Sequence, residues 1–480
     1  MLQHKNNTIL SEIGDFFTSS EKAVNNIFEI LRSLKLTNRS FNLPEDIRIR
    51  YSAKEIILLM LLFPMLQIKN AYNYSRSPVY QLFNCGKDVF YRLKNNENIS
   101  WRSIVYSFSL KMIHLAEDKG EKSTDSHSCL IVDDTDLPKT GRCVELIGRI
   151  WSHVTNRSIL GFKGLFMGYY DGKSFFGLDF SLHGEKGKNE KKPYGLSNKQ
   201  LKARYSKKRK VDSSGFNRKQ EYFETKIQSM ISMIRCAITK GIRFEYILVD
   251  SWFTSEKLIR FVLTRKIGCH LLSMAKMGKT RYTCNTKELT AKEIIERQKR
   301  KKKIKKSKRL KVWYSDLLVN YKGVEIKLFF CKTTHRGNWN VLLTTNTTLD
   351  FEQAYKIYST RWTIEVFFKE CKQYFNLGKS QSQDFDGQIA DISISMLQYN
   401  TLSLAKRFTD YESLGELFRQ TKAETLKITI SEQIWQYLIE ILTIIAELFD
   451  TDIDFILEKL IEENQTILKL INLNPLKKTA

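Results

Sequence analysis

The chain has 480 residues, with 78 Lys and Arg against 52 Asp and Glu, a formal charge of +26, and 42% hydrophobic and 12% aromatic residues. That apolar content excludes a basic disordered tail, and 22 Gly with 6 Pro excludes collagen-like or low-complexity structure and favours long helices. The longest apolar run, Ile56 to Leu66, is eleven residues with Pro64 inside it, short of the about 20 that a bilayer span needs.

The N-terminus, MLQHKNNTIL, lacks the charged, apolar and small-residue succession of a signal peptide, and the eight cysteines are scattered without a CxxC pair. A cytosolic protein without disulfides or a zinc ribbon is expected. Residues 1–120 read as a separate N-terminal helical domain for DNA binding, with Ile27, Leu31 and Leu34 at helical spacing, then the run from Ile56, then Trp101 to Leu115. The pattern changes at Ser128, where Cys129 to Val132 reads as a buried strand that ends in Asp133 and Asp134. Leu165 to Tyr170 and Ser174 to Leu182 flank Asp171-Gly172, a hairpin-turn dipeptide, and so form two antiparallel strands. A helix follows from about Asn217 to Lys240, with Gly241 as its stop. After it come a strand, Phe244 to Val249, closed by Asp250, a helix from Ser255 to Thr264, and a strand from Cys269 to Met274.

This order predicts a mixed α/β domain over residues 121–385, with both strand-end carboxylates where open sheets bind ligands. Residues 275–347 read as a β-rich insertion into it, and residues 386–480 as a C-terminal helical region, patterned to about Ile471, that packs on the core or dimerises.

The basicity is local. Gly184 to Gln220 holds 13 Lys or Arg against 3 acids, and Lys292 to Lys311 holds 12 against 2, so two windows carry +20 of the +26. Nucleic acid is the expected partner of such segments. Lys207, Lys208, Arg209 and Lys210 in the first window, and Arg300, Lys301 and Lys302 in the second, are expected in mobile loops that grip a phosphate backbone.

A helix from Asp350 to Phe375 carries Tyr358, Arg361, Glu365 and Lys372 at offsets 0, 3, 7 and 14. At about 100° per residue they share one stripe about 60° wide. The same spacing also suits a solvated face with an Arg361–Glu365 pair. Asp134, Asp250 and Glu365, arriving from different elements, would suit two divalent metals in phosphoryl transfer.

At these residues the sequence resembles the DDE transposases of bacterial insertion sequences, of the insertion-sequence-four type, whose ribonuclease-H-like domain carries a Tyr-x2-Arg-x3-Glu-x6-Lys signature. YSTRWTIEVFFKECK matches all four positions, IVDDTDL resembles the first-acid block and ILVDSWF the second. The resemblance spans about residues 128–400. It implies that Asp134, Asp250 and Glu365 hold two Mg²⁺ ions, with Mn²⁺ able to substitute. Asp134 is preferred because it directly precedes Thr135, with Asp133 and Asp136 as its neighbours.

The resemblance further implies that Tyr358, Arg361 and Lys372 contact phosphates of the element's end. It implies a homodimer on double-stranded DNA, in a bacterial cytoplasm and associated with the nucleoid, that nicks, forms a hairpin and joins ends to target DNA. A flipped base would stack on an aromatic ring. Trp313 and Trp339, in the insertion, are the candidates, although most tryptophans are simply packed. Two alternatives are a catalytically silent, transposase-derived DNA-binding protein and a metal-dependent nuclease that cuts without joining.

Overall fold

The computed structural model describes residues 22–36, 52–77, 79–119, 127–264 and 267–448, with positions 452 and 459 besides. The helical pattern expected up to Ile471 lies, beyond residue 459, outside the described residues. Two compact units divide the chain: residues 1–116, 213–215 and 370–480 make one, and residues 117–212 and 216–369 the other.

The first unit is helical, and it draws on both ends of the sequence. Its centre is the helix Phe385–Arg407, which is buried along almost its whole length although it carries many polar side chains, Gln388, Gln398, Asn400 and Thr401 among them. Several of these find partners on N-terminal helices. The Gln398 amide donates to Met60 O at 2.9 Å, the Asn400 amide donates to Ser109 Oγ at 2.9 Å, and Lys94 pairs with Asp391 at 3.0 Å. These satisfied contacts offset the desolvation that burial costs a polar side chain. The flanks that the sequence separates by more than 200 residues therefore share one core.

The second unit is built on a single twelve-stranded sheet. Its strands are β1 (Cys129–Pro138), β2 (Gly148–Ser152), β3 (Arg157–Tyr170), β4 (Phe175–His183), β5 (Tyr246–Val249), β6 (His270–Ala275), β7 (Arg281–Cys284), β8 (Lys287–Thr290), β9 (Lys305–Lys306), β10 (Trp313–Tyr321), β11 (Val324–Lys332) and β12 (Asn340–Thr344). The main path runs β2-β3-β1-β5-β6-β12-β11-β10-β7-β8. β1 is antiparallel to β3 and parallel to β5, which is parallel to β6. Helices cross between the parallel strands, as such connections require. This is the mixed α/β arrangement that the sequence pattern predicts.

The Asp171-Gly172 hairpin joins β3 to β4. Gly172 takes φ +97, and Asp171 Oδ1 accepts from the Lys173 and Ser174 amides at 2.9 and 2.7 Å. Gly241, at φ +83, ends the helix Lys226–Thr239.

Three expectations are corrected. β1 does not stop at its two acids: antiparallel pairing with β3 carries it on to Pro138, although pairing with β5 stops at Val132. The single helix expected over Asn217 to Lys240 is two, Ser214–Glu221 and Lys226–Thr239, because Thr225 and Gln228 form a capping box that starts a new helix. Within residues 275–347, β12 pairs with β6 and β11 with β12, so these strands extend the same sheet. The basic windows are loops only in part: Lys207 to Lys210, Lys301 and Lys302 lie outside helices and strands, but Arg300 ends the helix Ala291–Arg300, and the first window also contains the helices Asn198–Lys202 and Ser214–Glu221. Among the described residues, no helix is long and apolar enough to cross a membrane.

Candidate active site

Strand alternation sends neighbouring residues to opposite faces of a sheet, so Asp133 and Asp134 cannot serve the same site. The structure separates them. Asp134 pairs with Lys226, the first residue of the helix Lys226–Thr239, on the face that also holds the Asp136–Lys163 pair. His183 belongs to the same surroundings, where burial pushes its ring down to about 4 and the Lys226 charge adds to the effect. Asp133 points the other way and accepts from Arg361 Nη1 at 2.6 Å.

Val132 and Val249 are the last paired residues of β1 and β5, so Asp133 and Asp250 follow side by side where the two parallel strands part. Asp134, expected as the first acid, thus faces Lys226, and Asp133 is the one that stands beside Asp250. The physical reason is the one-residue alternation of a strand that continues past both acids.

The third element is a helical segment interrupted once. Asp350 caps the helix Phe351–Ser359 by accepting from the Gln353 amide at 3.0 Å. A 3₁₀ turn, Thr360–Trp362, then leads into the helix Thr363–Tyr374. The expected single helix is therefore interrupted at Arg361, which still lies against Tyr358 on one side and Glu365 on the other.

Arg361 Nη2 donates to Glu365 Oε1 at 2.6 Å, so one guanidinium bridges Asp133 and Glu365. Tyr358 Oη donates to Val249 O at 3.3 Å, against the residue before Asp250. Burial pushes the Tyr358 hydroxyl up to about 12; Arg361 opposes that rise while Asp250 and Asp133 add to it. Phe367 and Phe368 fix this helix to the sheet through edge contacts with Phe166, at centroid distances of 6.0 and 5.4 Å. Such aromatic pairs contribute about 0.5–1.5 kcal/mol each beyond their burial. Lys372, the last residue of the stripe, belongs to the helical unit, so the four signature residues divide between the two units.

The electrostatics single out Asp133. Burial pushes its carboxyl up to about 7, against the pull of Arg361, and Asp250 and Asp134 add like-charge repulsion. Among the described residues, no three His, Cys, Asp or Glu side chains stand together at metal-ligating spacing. Nevertheless Asp133, Asp250 and Glu365 are hard oxygen donors suited to Mg²⁺, and the crowding at Asp133 is of the kind a divalent cation relieves.

The first basic window is corrected at Arg209. Its side chain is only 1% exposed and makes two hydrogen bonds to the Glu145 carboxylate, at 2.8 and 2.7 Å, while Lys219 donates to the same group at 2.8 Å. Burial works to raise the Glu145 carboxyl, but these two cations hold it down at about 2. The Lys207 amide also faces Glu145, at 3.5 Å, whereas Lys208 and Lys210 are exposed. Arg209 is a buried counter-ion, so charge at that position says nothing of DNA. In the second window Arg300, Lys301 and Lys302 are all exposed, at the end of the helix Ala291–Arg300 and just beyond it.

Trp313 and Trp339 are half-buried, and each ring has an ammonium over it, from Lys306 at 5.1 Å and Lys332 at 5.0 Å. Among the described residues, the most exposed tryptophans are others: Trp252 at 68% and Trp362 at 62%. Trp252 follows Asp250 by two residues, and its amide donates to Asp250 Oδ1 at 2.7 Å. One side of its ring is covered by Lys276 Nζ at 3.9 Å, and His153 lies at 6.4 Å. Trp362 adjoins Arg361. The sequence signal for both is adjacency to an acidic or basic site residue rather than membership of the insertion.

No curated protein matches the chain. A cryo-EM structure of a piggyBac transposase synaptic complex with hairpin DNA is similar at 14% identity and a TM-score of 0.42, over 89% of this chain and 82% of that one. Residues 224–401 match the family described as "Transposase DDE domain", and residues 108–308 match "DDE superfamily endonuclease". The two matches together cover the three acids, Arg361 and the strands that carry them, one described as a transposase domain and the other as an endonuclease.

Proposed function

We propose that the chain is a transposase of the insertion-sequence-four type that binds the terminal inverted repeats of its element, cuts DNA with divalent metal and joins the ends to target DNA. The observation that carries this reading is the Arg361 bridge, which ties the Tyr-Arg-Glu segment to the strand ends holding Asp133 and Asp250. Asp133, Asp250 and Glu365 would hold Mg²⁺, or Mn²⁺ in its place. When bound, such ions activate the attacking oxygen and stabilise the leaving one.

The protein's own residues orient the reaction. Arg361 offers a planar fork matched to phosphate, and Tyr358 braces it against the end of β5. Trp252 presents an exposed π-face beside Asp250, where a base unstacked during hairpin formation could lie. Homodimeric action on two DNA ends and a place with the bacterial nucleoid belong to the same proposal.

A labelled inverted-repeat end incubated with Mg²⁺ should yield nicks, hairpins and joined products. Cleavage without joined products would leave a nuclease instead, and binding without cleavage a silent DNA-binding protein. The second basic window makes a quantitative prediction. Replacing Arg300, Lys301 and Lys302 together by alanine should flatten the slope of log affinity against log salt, by about 0.9 for each phosphate that is no longer neutralised. An unchanged slope in a filter-binding or fluorescence titration would remove this segment from the interface.

A further inference from the structure

The β2–β3 hairpin outruns the sheet that carries it. β3 pairs with β4 from Tyr170 to Lys163 and with β1 as far as Gly161, and one further bond, from the Lys139 amide to Leu160 O at 2.8 Å, ends that side. Among the described residues, Arg157, Ser158 and Ile159 then pair with β2 alone, through Ser152, Trp151 and Ile150, and β2 is the last strand of the main path. What projects past the end of β1, the end that follows Asp133, is a two-stranded ribbon. At its apex the Thr155 amide donates to Ser152 Oγ at 3.4 Å, and Asn156 turns the chain at φ +47. Val154, in this turn, is 90% exposed, more than any other large apolar side chain among the described residues.

Residues 148–161 include Arg149 and Arg157, both exposed, and no acid. His153, next to Val154, brings the apex to Trp252, with ring centroids 6.4 Å apart, and the Trp252 amide is bound to Asp250. An isolated exposed valine is ordinary on a protein surface. This one stands at the tip of a cationic ribbon beside an exposed tryptophan. A two-stranded ribbon is narrow enough to enter a DNA groove, and apolar side chains inserted between base steps unstack and kink a duplex. We propose that the β2–β3 ribbon is a DNA-deforming arm: Val154 enters a base step at the element's end, and Trp252 stacks on the base so displaced. Arg149 and Arg157, one on each strand, pair with flanking phosphates. Stacking on the indole compensates the base for the neighbours it loses, and Val154 keeps it from returning. This inference rests on the reading of the chain as a transposase acting on DNA ends, and it adds the residue that opens the stack.

Wedge and ring act on binding, before any bond is cut, so the test needs no metal ion. Permanganate oxidises the 5,6 double bond of thymines whose bases have left the stack, and it reads the deformation directly. The full chain, without added divalent metal, is bound to duplexes spanning the junction of element and flanking DNA, with a thymine placed in turn at each position near the junction. Binding is measured on the same duplexes. The wild type should make a thymine at the junction reactive. Val154→Ser should bind the same duplex as tightly and leave that thymine at the level of free DNA, whereas Val154→Leu, which keeps an apolar tip, should leave it reactive. Because Val154 is almost fully exposed, neither substitution should disturb folding.

Reactivity retained in Val154→Ser overturns the role of Val154, as does reactivity lost in Val154→Leu. A wild-type complex with no reactive thymine overturns the deformation itself. Failure of the wild type to bind any end would overturn the reading as a transposase, and it differs from the other results in leaving no complex to probe.

Discussion

Asp133→Asn is expected to abolish strand cleavage, by about 10³-fold or more if a ligand carboxylate supplies several kcal/mol to the transition state. Asp134→Asn is expected to stay within about tenfold of the wild type. Two adjacent aspartates, alike in chemistry, differ in role only because β1 runs through them as a strand and sends their side chains to opposite faces. Asp133 faces Arg361, with Asp250 following Val249 at the neighbouring strand end. Asp134 faces Lys226 across the sheet, and its loss should affect folding more than chemistry. Single-turnover cleavage of a labelled end, with binding measured in parallel, separates the two effects. Cleavage lost in the Asp134 variant and kept in the Asp133 variant would reverse the assignment.

The second large effect falls on stability. Arg209→Ala should destabilise the sheet unit by about 3–5 kcal/mol, because it strands the Glu145 carboxylate, 2% exposed, without its bidentate partner. The adjoining Lys208→Ala should stay within about 0.5 kcal/mol, as surface substitutions do. Adding Glu145→Gln to the Arg209 variant should recover part of the loss, since no buried charge then lacks its counter-ion. Urea denaturation followed by circular dichroism measures all three.

The pH dependence has a definite sign. Glu145 is held down at about 2, below its ordinary 4.5, so its ionised form stabilises the folded protein above about pH 4.5. That contribution, about 3 kcal/mol, is lost as pH falls from about 4.5 towards 2. The stability difference between wild type and Glu145→Gln should shrink over that interval. A difference that stays constant, or an Arg209→Ala loss no larger than that of Lys208→Ala, would mean that the cluster does not carry this weight.

Much of the fold is legible because it is local. The run Cys129 to Val132, the Asp171-Gly172 turn and the apolar β5 carry their signals within a few residues. β2 escapes sequence reading, although its alternation is regular: Gly148, Ile150 and Ser152 are buried while Arg149 and Trp151 are exposed, but five residues with one aliphatic side chain are a faint pattern. The acids of the site are visible in type and not in facing, since facing depends on where the neighbouring strand stops. Arg209 misleads for a different reason. Its partner Glu145 lies 64 residues away, and no charge count along the chain distinguishes a solvated arginine from one buried in a salt bridge. The 3₁₀ turn at Arg361 leaves no mark in the helical spacing.

The join between β6 and β12 has a consequence for how such a chain can change. Ala275, which closes β6, pairs directly with Val341 at the start of β12, so the stretch 276–339, which carries β7 to β11 of the same sheet, departs and returns at adjacent points. A tight hairpin could connect those two strands with all of that stretch absent, and Asp133, Asp250 and Glu365 would keep the strands and helix that carry them. The basic, tryptophan-bearing extension can therefore be gained, lost or exchanged in a single genetic event, while the three acids stay on the elements that position them.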